Sequence, residues 1–145
     1  MRGEAVVAEA RAWLGTPYRH QASCRGAGAD CLGLVRGVWR ALHGDEPAPV
    51  PAYTADWSEP ARDEVLLRAA TAHLVALRIE AARPGDVVLF RMRAGAVAKH
   101  LGILAATGAA PTFIHAYAGH GVVESSLSAP WRRRIVGAFR FPERG

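Results

Sequence analysis

The stretch that most constrains this chain runs from Asp30 to Leu42. Apolar side chains fall at Leu34, Val35, Val38, Trp39 and Leu42, the spacing of one buried helix face. Gly26 and Gly28 disfavour helix just upstream, and Asp30 is a good N-cap. Cys31 therefore stands on the first turn of a helix whose body belongs to the core. A thiol there meets the positive end of the helix dipole and free backbone N–H groups. Both favour the thiolate, and the same N–H groups suit an oxyanion. Cys31 reads as a nucleophile at the mouth of a core helix.

The whole chain bounds what this helix can belong to. Its 145 residues suit one domain spanning 1–145 with a real core. It holds no run of about 18 apolar residues, so no membrane-spanning helix is expected. Glu4 and Glu9 stand where an export signal would be apolar, which predicts synthesis in the cytoplasm without a signal peptide. The balance is basic, 18 Lys+Arg against 13 Asp+Glu, with Arg132, Arg133 and Arg134 clustered near the end. Such a cluster is a solvated loop or a contact for an anionic polymer. No nucleic-acid module accompanies it, so no nucleic-acid partner is expected.

Along the chain, Val6, Val7, Ala10, Trp13 and Leu14 mark a short amphipathic helix stopped by Gly15 and Pro17. Thr16 to Ala29 is a polar loop leading to Cys31. Gly44 ends the Cys31 helix, and the proline-rich run from Asp45 to Trp57 predicts a surface connection. Glu64 to Glu80 reads as a further helix, with His73 on its apolar side. After the turn Pro84-Gly85-Asp86, strands are predicted at 87–90, 100–105, 112–117, 122–127 and 135–141. Helices first and strands second mean an α+β fold with an antiparallel sheet.

A cysteine nucleophile needs a base to take its proton and return it to the leaving group. Of six histidines, His43 lies too far along the Cys31 helix, His73 sits mid-helix on the apolar side and His120 sits in a glycine turn, leaving His20, His100 and His115. A hairpin centred on Thr107-Gly108 sets His100 directly opposite His115, about 5 Å apart at Cβ. One imidazole would then orient the other, with its partner accepting the Nδ1 proton. Gly102 would leave open space beside His100. A zinc site from Cys24, Cys31, His100 and His115 matches no common ligand spacing, and a Cys24–Cys31 disulfide would need a distorted helix start. Neither is expected. Cys31, and not Cys24, is the expected reactive thiol.

Five phrases, in this order, carry a resemblance. They are Leu14-Gly15-Thr16-Pro17-Tyr18, Asp30-Cys31-Leu32-Gly33-Leu34-Val35, Pro84-Gly85-Asp86-Val87-Val88-Leu89-Phe90, Lys99-His100-Leu101-Gly102-Ile103 and Ile114-His115-Ala116. Together they resemble the NlpC-type papain-like peptidases of the cell wall, over nearly the whole chain. The phrases Tyr18-Arg19-His20-Gln21-Ala22 and Leu34-Val35-Arg36-Gly37-Val38-Trp39 look most like the branch encoded with phage tails and gene transfer agents. The resemblance implies a papain-like fold, with Cys31 as nucleophile, His100 as base and His115 as its orienter. It implies that Tyr18 helps hold the oxyanion beside the Cys31 N–H. It implies peptidoglycan stem peptides as substrate, typically the γ-D-glutamyl bond to the diamino acid, with no metal or organic cofactor. Its partners would be tail or baseplate proteins, and its place of action the periplasm or cell wall after delivery by a particle. Leu32 departs from the serine common after the nucleophile. Two other readings share these residues: an amidase or acyltransferase on another acyl group, and a tail structural protein with a relict site.

Overall fold

The computed structural model describes residues 3–47, 64–93 and 95–143. The order of elements is α1 (Gly3–Arg11), β1 (Ser23–Cys24), β2 (Gly28–Ala29), α2 (Cys31–His43), α3 (Val65–His73), β3 (Val75–Leu77), β4 (Val87–Arg91), β5 (Ala98–Ala106), β6 (Thr112–Tyr117), β7 (Gly121–Ser126), α4 (Ala129–Arg132) and β8 (Ile135–Arg140). The fold is α+β, as expected. Six strands pair in the order β3-β8-β4-β5-β6-β7, and each pairing is antiparallel.

Strand alternation gives the sheet two apolar faces. Val87, Leu89, Leu101, Ile103, Ile114 and Ala116 point toward the helices and pack with Val6, Val7, Leu34 and Val38. Val88, Phe90, Leu104 and Phe113 point the other way, where Trp131 of α4 and Leu127 cover them. A bidentate pair locks the sheet ends together. Arg140 Nε and Nη2 donate to Asp86 Oδ1 and Oδ2, each at 2.8 Å, and the Arg83 N–H donates to the same carboxylate at 2.8 Å.

The helix α2 starts at Cys31, as its pattern predicts, and Gly44 ends it with φ 85°. Leu34 and Val38 are fully buried. Trp39 is half-buried, not core. Its ring packs on His43 and Phe141, and its Nε1 donates to the Asp45 carbonyl at 2.7 Å. The deep positions on this helix include two glycines that periodicity passes over. A Cβ on Gly33 would run into the Ala22 carbonyl, and one on Gly37 into the Trp13 ring. The helix gives up about 1 kcal/mol of propensity at each glycine in exchange for close packing.

Several expectations need correction. The segment read as one helix from Glu64 to Glu80 stops at His73. Val75–Leu77 instead pairs with β8, and a 3-10 turn follows at Ile79–Ala81. The open edge of β8 offers a ladder that local periodicity cannot reveal. His73 is exposed, as is Leu14. The loop before Cys31 is partly ordered as the β1–β2 ribbon. The connection read from Asp45 to Trp57 lies, beyond Pro47, outside the described residues. In the β5–β6 hairpin, Ile103 faces Ile114, where the expected register would set it opposite Thr112. The pairing is thus displaced by two residues. An even slip keeps every side chain on its face, so the two histidines stay on one side of the sheet as diagonal neighbours.

The packing at Gly37 yields a test. Propensity alone would make Gly37→Ala more stable by about 1 kcal/mol. Contact with Trp13 predicts the reverse, a loss of about 1–3 kcal/mol from overpacking. A thermal melt that rises in Gly37→Ala would refute this account of how α1 meets α2.

Candidate active site

The start of α2 is fixed by one buried carboxylate. Asp30 Oδ1 accepts from the Gly33 N–H at 2.7 Å, and Oδ2 accepts from the Gln21 N–H at 2.7 Å. The first is an N-cap bond of the ordinary kind. The second holds Gln21 in the left-handed region, at φ 63°. Cys31 is thus placed in a pocket of about 150 Å³ lined also by Tyr18, His20, Lys99, His100 and Tyr117.

His100 reaches this pocket from β5. Phe90 pairs with His100 and Arg91 with Ala98, so Lys99 is an extra residue in the ladder. Such a bulge re-aims the side chains beside it. His100 Nε2 lies 2.7 Å from His115 Nδ1, and His115 Nε2 lies 2.9 Å from Ser125 Oγ on β7. The chain His100–His115–Ser125 therefore crosses three adjacent strands. The ring is turned relative to the sequence expectation: Nε2, not Nδ1, faces His115, and the ring lines the same pocket as Cys31.

An aromatic cage holds both imidazoles. Trp131 lies 5.7 Å from His100 and 5.3 Å from His115, centroid to centroid. Phe90 and Tyr117 flank His100, and Phe113 packs on His115 at 4.2 Å. The space expected beside Gly102 is filled by Phe113, whose Cδ2 would lie 2.7 Å from a Cβ there.

Burial decides the resting protonation. Cys31 is 5 % exposed, and burial, then the Asp30 charge, push its thiol up to about 12. Backbone N–H groups of Leu101, Leu32 and Cys31 pull the other way without prevailing. This corrects the expectation that the helix start would favour the thiolate. A helix dipole is worth about 0.3–1 kcal/mol at ordinary sites, less than removing a thiolate from water costs. Burial also pushes His100 down to about 3, helped by His115, and pushes His115 down to about 4, helped by His120. The pair rests as neutral thiol and neutral imidazole. Burial, then Cys31 and Asp30, raise the Tyr18 hydroxyl, which keeps its proton as a donor. His20 is exposed, with Nδ1 3.8 Å from Asp30 Oδ2, on the rim rather than in the histidine chain. Both cysteines are free, and Cys24 is exposed. General alkylation at neutral pH should therefore reach Cys24 first, reporting exposure and not nucleophilicity.

The structure brings together Tyr18, Asp30, Cys31, His100 and His115. Ser125, Trp131 and the Leu101 N–H join them, and sequence reading had missed all three. Alternation along 121–126 puts Val123 and Ser125 on one face, which is a weak signal for Ser125. Nothing local marks Trp131.

The NlpC/P60 family model matches residues 15–140. The chain belongs to the NlpC/P60 family. Among curated relatives, the Escherichia coli murein DD-endopeptidase MepS/murein LD-carboxypeptidase is 32% identical over 129 residues, covering 88% of this chain and 57% of the relative. The chain thus spans a little over half the length of that protein. Solved structures share the fold. The NlpC/p60 domain of the peptidoglycan hydrolase SagA matches with TM-score 0.66 and 23% identity, over 97% of this chain and 100% of that domain. An NlpC/P60 family protein from Bacillus cereus matches with TM-score 0.68 and 20% identity, over 97% of this chain and 40% of that one.

The depressed histidines predict how stability varies with pH. A histidine whose folded pKa lies below its ordinary 6.5 binds protons more readily unfolded. Its stabilising contribution is full above that value and falls as pH drops toward the folded pKa. The slope is about 1.4 kcal/mol per pH unit for each histidine kept neutral. Glu46 and Glu124, held by arginines below their ordinary 4.5, keep their charge above that pH. Urea midpoints should therefore fall between pH 6.5 and 4.5, and a His100→Gln/His115→Gln protein should show a flatter profile. An equal fall in both proteins would place the effect elsewhere.

Proposed function

We propose that this chain is a cysteine hydrolase that cleaves an amide bond in peptidoglycan stem peptides. The observation that carries the reading is the 2.7 Å contact between His100 Nε2 and His115 Nδ1, in a pocket shared with Cys31 at a capped helix start. Murein and peptidoglycan stand in the printed names of a relative and a structural neighbour, which supports the substrate class.

The geometry supports these steps. The Cys31 thiol gives its proton to His100 Nδ1, and its sulfur attacks the scissile carbonyl. His100 can accept at Nδ1 only if its own proton sits on Nε2. That N–H donates to His115 Nδ1, and the His115 Nε2–H then donates to Ser125 Oγ. Ser125, whose hydroxyl can accept, suits this tautomer of His115, and His115 in turn suits that of His100. The tetrahedral oxyanion is met by the Cys31 N–H and the Tyr18 hydroxyl. The imidazolium returns its proton to the leaving amine, and water hydrolyses the remaining thioester.

The bond between γ-D-glutamate and the diamino acid is the one we assign, on the resemblance of the five sequence phrases. The likeness of Tyr18–Ala22 and Leu34–Trp39 to the phage-tail and gene-transfer-agent branch supports delivery by such a particle to the periplasm or wall. Cofractionation of the protein with tail particles on a density gradient would test that setting.

Mass spectrometry of muropeptides incubated with the protein tests the reaction. New fragments split after γ-D-glutamate are expected, and unchanged muropeptides would defeat the proposal. Cys31→Ser and His100→Ala should remove essentially all activity. His115→Asn or Gln should retain part of it, because a side-chain oxygen can still accept the Nε2 proton of His100. Ser125→Ala should lower kcat by about tenfold, the weight of one neutral hydrogen bond, with little change in KM. If His115→Ala loses all activity while His100→Ala keeps most of it, the two roles are exchanged.

A further inference from the structure

The bulge in front of His100 has a partner of its own. Four pairs of the β4–β5 ladder run in step, from Val87–Ile103 to Phe90–His100. The next pair in step would set Arg91 opposite Lys99, two cations facing each other. Instead Arg91 faces Ala98, and Lys99 is left over as the bulged residue. Ala98 is fully buried, so its N–H needs an acceptor.

A side chain from outside the sheet supplies that acceptor. Glu64 Oε1 accepts from the Ala98 N–H at 3.0 Å, and Glu64 Oε2 accepts from Arg91 Nη2 at 3.3 Å. One carboxylate thus holds both members of the pair that closes the bulge. Glu64 stands at the N-cap of α3, yet its side chain makes no capping bond there. The ion pair is incomplete as well. Arg140 meets Asp86 as a fork, through Nε and Nη2. Arg91 meets Glu64 through Nη2, and its Nε is buried with no hydrogen-bond partner among the described residues. The oxygen that a fork would place on Nε is the one bonded to Ala98. A carboxylate that merely tied α3 to the sheet would have no reason to leave that nitrogen unpaired.

We propose that Glu64 is a positioning residue for the hydrolysis: it holds Ala98 opposite Arg91, which keeps the bulge that aims His100 into the pocket it shares with Cys31. The role rests on the hydrolase reading above and deepens it. Glu64 itself does not line that pocket, so it acts through the strand. A bulge adds local twist to its strand. Without the bond to Ala98, Lys99 can rejoin the ladder and the strand beneath His100 turns. The 2.7 Å contact of His100 with His115 registers such a turn, and a misplacement of about 1 Å can cost on the order of a hundredfold in rate.

Two variants of the full chain separate this bond from the charge. Glu64→Gln keeps an oxygen for the Ala98 N–H, and Glu64→Met keeps the length of the side chain without one. Both lose the charge. The side chain is 32% exposed, so neither change overfills the core. On muropeptides, Glu64→Met should show a kcat about tenfold below that of Glu64→Gln, with KM the same in both. NMR needs no turnover. In Glu64→Met the Ala98 amide should exchange with solvent about tenfold faster than in Glu64→Gln, and the nitrogen signals of the His100 ring should move, while Glu64→Gln keeps those of the parent chain. Equal kcat in the two variants, or a slower Glu64→Met whose His100 signals stay in place, would overturn the role of Glu64 and leave the hydrolase reading standing. No cleavage by any of the chains, the parent included, would overturn the hydrolase reading, and the His100 signals would still decide whether Glu64 holds the bulge.

Discussion

The buried carboxylate of Asp30 is the constraint on which the site depends. It is 2 % exposed and accepts one N–H from the helix it caps and one from the loop before it. Those two bonds set the angle at which the chain enters α2, and so where the Cys31 sulfur lies against β5. The helix then packs too closely for side chains at two of its positions, Gly33 and Gly37. Cap and close packing act together. The cap fixes the start of the helix, and the glycines let its body approach Ala22 and Trp13.

The same carboxylate works against the chemistry it positions. Its charge joins burial in holding the proton on Cys31. The donors that oppose it, the N–H groups of Leu101, Leu32 and Cys31, come from both sides of the helix–sheet contact. Under the proposed reaction, these donors act when negative charge forms, first on sulfur and then on the carbonyl oxygen. In that reaction each neutral ring donates onward to the next acceptor, with Ser125 as the last.

The two faces of the sheet divide the labour. One packs on the helices and carries most of the aliphatic core. The other holds Phe90, Phe113 and Trp131 around the imidazoles, so the aromatic cage is itself a core, with rotamers fixed by packing. Trp131 faces His100 on one side and carries Arg134 on another.

Sequence by itself determined the features whose cause is local. The spacing from Leu34 to Leu42, with Asp30 ahead of it and Gly44 behind, fixes α2 and puts Cys31 on its first turn, because capping and helical period act within a few residues. Period-two alternation fixes the strands β4 to β8 and the shared face of His100 and His115, to within ends of one or two residues. Tertiary structure decided what depends on distant partners. Val75–Leu77 became a strand because β8 had an open edge. The hairpin register moved by two residues because packing against both faces, and not the turn, sets the pairing. Trp39 is half-buried because its indole N–H finds the Asp45 carbonyl at the surface. The extra residue at Lys99, the Ser125 and Trp131 contacts, and the neutral state of Cys31 all arise where separate strands and helices meet. Desolvation there depends on the enclosing fold, and no spacing along the chain encodes it.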